Sequence, residues 1–146
     1  MKLFLKTYSE QDTIDEGVKF SKNLIRGSVV ALFGDLGTGK TRFIKGICAG
    51  MGISEHVASP TFTIVNEYHG TEHLVFHFDF YRIKSVTETQ EIGFDEYIYR
   101  EGISLIEWAD KVRDLLPPNR FEVHLSFGEK ENIREIFIEE IIGVTA

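Results

Sequence analysis

The stretch that most constrains this chain is residues 28–51, where an apolar run, a glycine-rich turn and a helical apolar stripe follow one another without a break. Val29-Val30-Ala31-Leu32-Phe33 is apolar at every position and rich in β-branched residues. A strand with one wet face alternates; a strand with no polar position is buried on both faces, as inside a parallel sheet covered by helices on both sides. Beyond the turn, Phe43, Ile44, Ile47, Cys48 and Met51 recur at helical spacing, and the stripe stops near Gly50 and Gly52. Strand, loop and helix in this order imply an α/β domain.

The turn itself reads Gly34-Asp35-Leu36-Gly37-Thr38-Gly39-Lys40-Thr41, a complete G-x-x-x-x-G-K-[ST] pattern in the context that gives it meaning. Glycines let the backbone curl until successive N–H groups point at an anion, and a helix opening near Lys40 adds its positive dipole end. The Lys40 ammonium can reach β- and γ-phosphates, and the Thr41 hydroxyl can ligate Mg²⁺. Asp35, Leu36, Gly37, Thr38, Gly39, Lys40 and Thr41 are therefore the expected phosphate-binding set, and a nucleoside triphosphate the expected ligand.

The remaining pattern fits around this unit. Residues 2–6 form a short strand, and Ser9 with Asp12 three positions on opens a helix with Ile14, Val18 and Ile25 on one face, Gly17, Ser21 and Leu24 beside them, and its end before Gly27. Residues 61–68, 73–80, 103–107, 121–127 and 133–138 read as strands, and 86–91 and 108–116 as short helices. The expected architecture is a three-layer P-loop NTPase over residues 1–146, one domain with a small mixed, largely parallel central sheet.

Charge narrows the partners. The formal net charge is −7, but residues 1–52 carry 8 basic and 5 acidic side chains while the remainder carries 8 and 18. A strongly acidic chain is a poor nonspecific binder of nucleic acid or anionic membrane. The single cysteine, Cys48, has no partner for a disulfide and sits at a packing position of the striped helix, which points to a reducing cytoplasm. No apolar run approaches the roughly 20 residues a membrane span needs. The five histidines show no metal-site spacing. Glu88, Glu91, Asp95 and Glu96, interleaved with Ile92, Phe94 and Tyr97, read equally as a partner surface or a solvated face.

A triphosphate site needs an acidic partner at a neighbouring strand end, and two are offered: Leu74-Val75-Phe76-His77-Phe78-Asp79 and Ile103-Ser104-Leu105-Ile106-Glu107. Either carboxylate can hold the metal, leaving the other to orient or deprotonate the attacking water. His77 shares a strand face with Asp79, although a histidine between two phenylalanines is more often structural than a base. Trp108 is by default a packing residue. Ser59-Pro60-Thr61-Phe62-Thr63 is either a proline-led turn or a hydroxyl-bearing loop of the kind that closes on a γ-phosphate.

Taken together, residues 34–41, Ser59-Pro60-Thr61-Phe62 with Tyr68, His77-Phe78-Asp79-Phe80-Tyr81-Arg82 and Ile106-Glu107-Trp108-Ala109-Asp110 closely resemble the bacterial TsaE family, also called YjeE, in order and spacing along nearly the whole chain. The later motifs make the resemblance specific, since the phosphate loop alone is generic. It implies an ATPase needed to make N6-threonylcarbamoyladenosine beside the anticodon of tRNAs reading codons that begin with A, acting with a TsaB–TsaD pair. It also implies roles: Lys40 on the phosphates, Thr41 and Glu107 on Mg²⁺, Asp79 assisting hydrolysis, Ser59 and Thr61 on a switch-like loop, Trp108 at the site edge. Adenine contacts are implied partly within 8–13 and partly within 128–134. Ala109-Asp110 departs from the Pro-rich continuation of some members. With net charge −7, tRNA is expected only through the protein partners.

The main alternative is a small-molecule kinase on the same phosphate loop. It needs an arginine-bearing lid, for which only Arg113 and Arg120 are available between Glu107 and the final strands. A nucleotide-dependent interaction module, signalling by binding rather than hydrolysis, is the third reading.

Overall fold

The computed structural model describes residues 1–143. Seven strands form one sheet: β1 (Lys2–Thr7), β2 (Val29–Phe33), β3 (Val65–His69), β4 (Leu74–Asp79), β5 (Gly102–Glu107), β6 (Arg120–Phe127) and β7 (Arg134–Ile141). Their order is β1-β7-β6-β2-β5-β4-β3. The four central strands pair in parallel, β6 with β2, β2 with β5 and β5 with β4; the outer pairings β1/β7, β6/β7 and β3/β4 are antiparallel.

The unbroken apolar run of β2 is explained by where its side chains go. Val30 and Leu32 enter a core shared with helices α1 (Glu10–Ser21) and α2 (Lys40–Gly50). Val29, Ala31 and Phe33 enter a second core on the opposite face. There they meet Phe76, Phe78 and Phe80, the helix α4 (Phe94–Ile98) and a 3-10 helix over Ala109–Leu115, with the short helix α3 (Thr87–Glu91) alongside. The three layers expected from the sequence follow directly.

α1 begins as its sequence dictates: Ser9 is the N-cap, its hydroxyl accepting from the Asp12 N–H at 3.0 Å. It stops earlier than its apolar pattern suggests. The Asn23 amide, side chain and backbone N–H, donates to the Phe20 carbonyl, and the Ile25 N–H turns to the Ser28 hydroxyl. This local competition ends the helix at Ser21 and leaves Ile25 exposed, while Leu24 stays buried.

One other expectation is corrected. Residues 61–64 are a turn, not the start of β3: the Ile64 N–H bonds back to the Pro60 carbonyl at 2.8 Å, and Ile64 takes a left-handed φ of 71°. The turn leaves Phe62 exposed, with Arg82 4.7 Å from its ring centre. The acidic stretch near residue 90 supplies core and solvated face together. Phe94 is buried and Ile92 and Tyr97 pack beside it, while Asp95 and Glu96 face water and Glu88 accepts from the backbone of Lys84 and Ser85. Cys48 is fully buried, and burial pushes its thiol up to about 12. It is a packing residue without thiolate chemistry.

Candidate functional site

The parallel centre places every βα turn of the sheet on one edge, where ligands of open α/β sheets bind. The loop after β2 curls there through Gly34, Gly37 and Gly39, whose φ values are 148°, 85° and 103°. A β-carbon at Gly34 would fall 2.7 Å from the Thr38 hydroxyl, so the curl excludes a side chain. α2 opens at Lys40 without a side-chain cap, leaving its first N–H groups to whatever lies in the loop.

Lys40 Nζ donates to the carbonyls of Gly34 at 2.5 Å and Asp35 at 2.9 Å, and lies 4.3 Å from the centre of the Trp108 ring. Burial holds this ammonium below the usual lysine range, with Glu107 and Asp79 opposing that shift. Thr41 Oγ1 donates to Glu107 Oε1 at 2.9 Å. Asp79 and Glu107 are register partners at the ends of β4 and β5, and Glu107 also pairs with Leu32 of β2. The Asp79 carboxylate accepts from the Ser59 hydroxyl and, at 2.9 Å, from the Tyr81 N–H. Thr61 Oγ1 reaches Ser59 Oγ at 3.4 Å.

These groups line one cavity of about 790 Å³. Of the residues singled out from sequence, Leu36, Gly37, Gly39, Lys40, Thr41, Ser59, Thr61, Asp79, Glu107 and Trp108 are on its wall. Asp35 and Thr38 are not. They brace the loop, the Thr38 hydroxyl donating to the Asp35 carbonyl at 2.7 Å. The wall also carries Arg42, next to Thr41, and Glu10, Asn132 and Arg134, which fall within the segments 8–13 and 128–134 although no motif singles them out. Asn132 Nδ2 donates to the Tyr8 carbonyl at 2.9 Å, joining the two segments for which the resemblance implies base contacts. Arg134 lies 4.9 Å from the Phe127 ring centre and donates to the Gly37 carbonyl at 3.3 Å. Alternating strands mark one face as polar without saying which polar residue meets a loop far away in sequence.

The donor set is suited to a hard cation. Thr41, Glu107 and Asp79 offer only oxygen, as Mg²⁺ requires, and the glycine-lined curl followed by an uncapped helix start is suited to phosphate. Trp108 is half-buried, holds a left-handed φ of 57° and packs 4.9 Å from Tyr81 between ring centres. It is the only tryptophan, and its ring lies against the Lys40 ammonium. Its emission is therefore expected to change on titration with ATP or ADP, and Lys40→Met is expected to remove most of that change. An unaltered spectrum at saturating nucleotide would separate Trp108 from the site.

Comparison with known proteins gives a concordant answer. A family model described as "Threonylcarbamoyl adenosine biosynthesis protein TsaE" matches residues 7–136. A Treponema pallidum protein named tRNA threonylcarbamoyladenosine biosynthesis protein TsaE is 44% identical over 109 residues, covering 75% of this chain and 80% of its own length. The Haemophilus influenzae protein of the same name is 33% identical over 132 residues, 87% of this chain and 84% of its own. The crystal structure of Bacillus subtilis YdiB superposes with a TM-score of 0.82 at 32% identity, over 98% of this chain and 87% of that one. With motifs, sheet order and these matches in agreement, the chain belongs to the TsaE family.

Proposed function

We propose that this protein acts in tRNA threonylcarbamoyladenosine biosynthesis as a Mg²⁺-dependent ATP hydrolase working with a TsaB–TsaD complex. One observation carries the reading. The phosphate-loop residues Lys40 and Thr41 share a cavity with two strand-end carboxylates, one of them hydrogen-bonded to Thr41. The names of the relatives supply the pathway.

In this reading the loop amides and the α2 N-terminus hold the triphosphate, and Lys40 sets a fixed positive charge against its β- and γ-phosphates. Thr41 and Glu107 hold Mg²⁺, which supplies charge neutralisation on the phosphates when bound. Asp79 accepts a proton from water as the water oxygen bonds to the γ-phosphorus. The bridging P–O bond breaks with its electron pair leaving on ADP, and orthophosphate is released. The Ser59 hydroxyl donates to the Asp79 carboxylate, and each of its two oxygens keeps a further lone pair for the water proton. Ser59 thus orients the Asp79 carboxylate from the loop side.

Neither arginine that the sequence offers for a kinase lid reaches the cavity. Arg113 lies 4.5 Å from the Phe33 ring centre, Arg120 is paired with Glu122 at 2.6 Å, and neither lines the cavity. The net charge of −7 supports reaching tRNA through protein partners, and the single cysteine supports a reducing cytoplasm. Among the described residues no helix is long and apolar enough to cross a membrane.

Phosphate release measured alone and with TsaB, TsaD and tRNA tests the proposal. Slow release alone, and a requirement for this protein over repeated rounds of modification, are expected. No effect of the partners together with no such requirement would overturn the family role. Transfer of phosphate to an added small-molecule acceptor would favour the kinase.

A further inference from the structure

Among the described residues, His77 is the most deeply buried polar one that the hydrolytic reading leaves without a task. It has no solvent exposure, yet Nε2 lies 2.6 Å from Glu107 Oε2 and Nδ1 lies 3.2 Å from the Tyr68 hydroxyl. Tyr68 is itself buried, and its hydroxyl also lies 3.1 Å from the Ala58 carbonyl, the residue preceding Ser59. Asn66 Nδ2 completes the cluster, 3.4 Å from the Tyr68 hydroxyl and 3.3 Å from the Ala58 carbonyl.

We propose that His77 is a positioning residue of this site: it fixes the Glu107 carboxylate against Thr41 and, through Tyr68 and Asn66, ties that carboxylate to the backbone at Ala58, where the Ser59–Thr61 loop begins. The inference rests on the reading of Glu107 as a metal-holding residue.

Strand register supplies the physical reason. Glu107 pairs directly with Asp79, and like charges in direct opposition on a sheet are destabilising. His77 pairs with Leu105, so it is the diagonal neighbour of Glu107, one step back along the same face. A donor there draws Glu107 away from Asp79, and the Thr41 hydroxyl at 2.9 Å takes its other oxygen. Glu107 is 3% exposed, and a carboxylate so buried needs donors to both oxygens. These two give it one orientation.

Proton counting agrees. A carboxylate only accepts, so His77 Nε2 carries the donated hydrogen. Nδ1 then accepts from the Tyr68 hydroxyl while Asn66 Nδ2 donates to the Ala58 carbonyl. Every member is paired, and burial holds the Tyr68 phenol above its usual range, which keeps its proton available. With the one Tyr68 hydrogen on His77, the Asn66 amide supplies the link to Ala58, and the chain Glu107–His77–Tyr68–Asn66–Ala58 is a rigid brace from the end of β5 to the start of the loop that carries Ser59.

The test compares isosteres. His77→Gln keeps an amide donor near the Nε2 position, whereas His77→Asn keeps one near Nδ1 and His77→Phe keeps neither. Phosphate release is expected to fall about 30-fold in His77→Phe and His77→Asn, with most of it recovered in His77→Gln, within the range typical for partners of metal ligands. A second readout is nucleotide affinity by Trp108 emission. It should be unchanged without Mg²⁺ but lose most of its Mg²⁺ dependence in the Phe and Asn variants. Thermal unfolding of each variant verifies folding, and if His77→Phe fails to fold, the Gln and Asn pair carries the comparison. Equal, near-wild-type release and Mg²⁺ dependence in all three, with Glu107→Gln strongly impaired, would overturn the inference alone. Full activity in Glu107→Gln would instead overturn the reading beneath it. A His77→Phe/Glu107→Gln double variant no slower than Glu107→Gln supports the brace, since both changes break the same contact.

Discussion

Lys40→Ala is expected to lower ATP hydrolysis by about 100-fold or more, the usual scale for removing one preorganised group that stabilises developing negative charge. Nucleotide affinity should weaken by about 10- to 100-fold, as for loss of a charge-assisted hydrogen bond. Lys40 is 5% exposed, and its Nζ sits between two loop carbonyls and the Trp108 ring, so its position is set before any ligand contributes. Fold stability should suffer little, because burial already disfavours this charge and its neutral replacement removes that cost. The measurements are phosphate release, isothermal titration with ATP and thermal unfolding. Wild-type affinity in a folded Lys40→Ala protein would sink the assignment of the phosphate site.

The second large effect lies far from the chemistry. Gly46→Ala is expected to destabilise the fold by about 3 kcal/mol, although alanine is the better helix former by about 1 kcal/mol. α1 and α2 cross at Gly17 and Gly46, whose backbones nearly touch. A β-carbon on Gly46 would overlap the Ile14 carbonyl and stand 2.9 Å from the Gly17 α-carbon. Both obstacles are backbone, so relief requires moving one helix off the other, not turning a side chain. For a chain of 146 residues the expected fall in melting temperature is about 10 °C. The same displacement shifts the helix that carries Lys40 and Thr41, so hydrolysis at low temperature should also decline. A Gly46→Ala protein as stable as wild type would mean that the α1–α2 approach tolerates a methyl group.

How far the sequence could be read depended on the range of each interaction. The glycine-rich loop was legible because a strand, the six turn residues 34–39 and a helix are contiguous, and each has a local signature. The β2 run announced its own burial on two faces, and Ser9 announced the start of α1. Ile25 and the turn over 61–64 were misread where a short-range polar contact outweighs the apolar period: Asn23 on the Phe20 carbonyl, Ile64 on the Pro60 carbonyl. Asn132 and Arg134 could be located only to within residues 128–134, because no motif singles out a polar residue on an element read for its apolar face.

The two carboxylates show the boundary most clearly. Sequence determined the glycine-rich loop, the α/β class and the presence of Asp79 and Glu107 at strand ends, since these follow from residue type and periodicity along the chain. Tertiary structure decided which partner each carboxylate takes. Glu107 faces Thr41 and His77 while Asp79 faces Ser59, because parallel pairing of β4 with β5 sets the two acids side by side and makes His77 the diagonal neighbour of one of them. Strand register across a sheet is a relation between residues 30 positions apart, and no pattern within either strand encodes it.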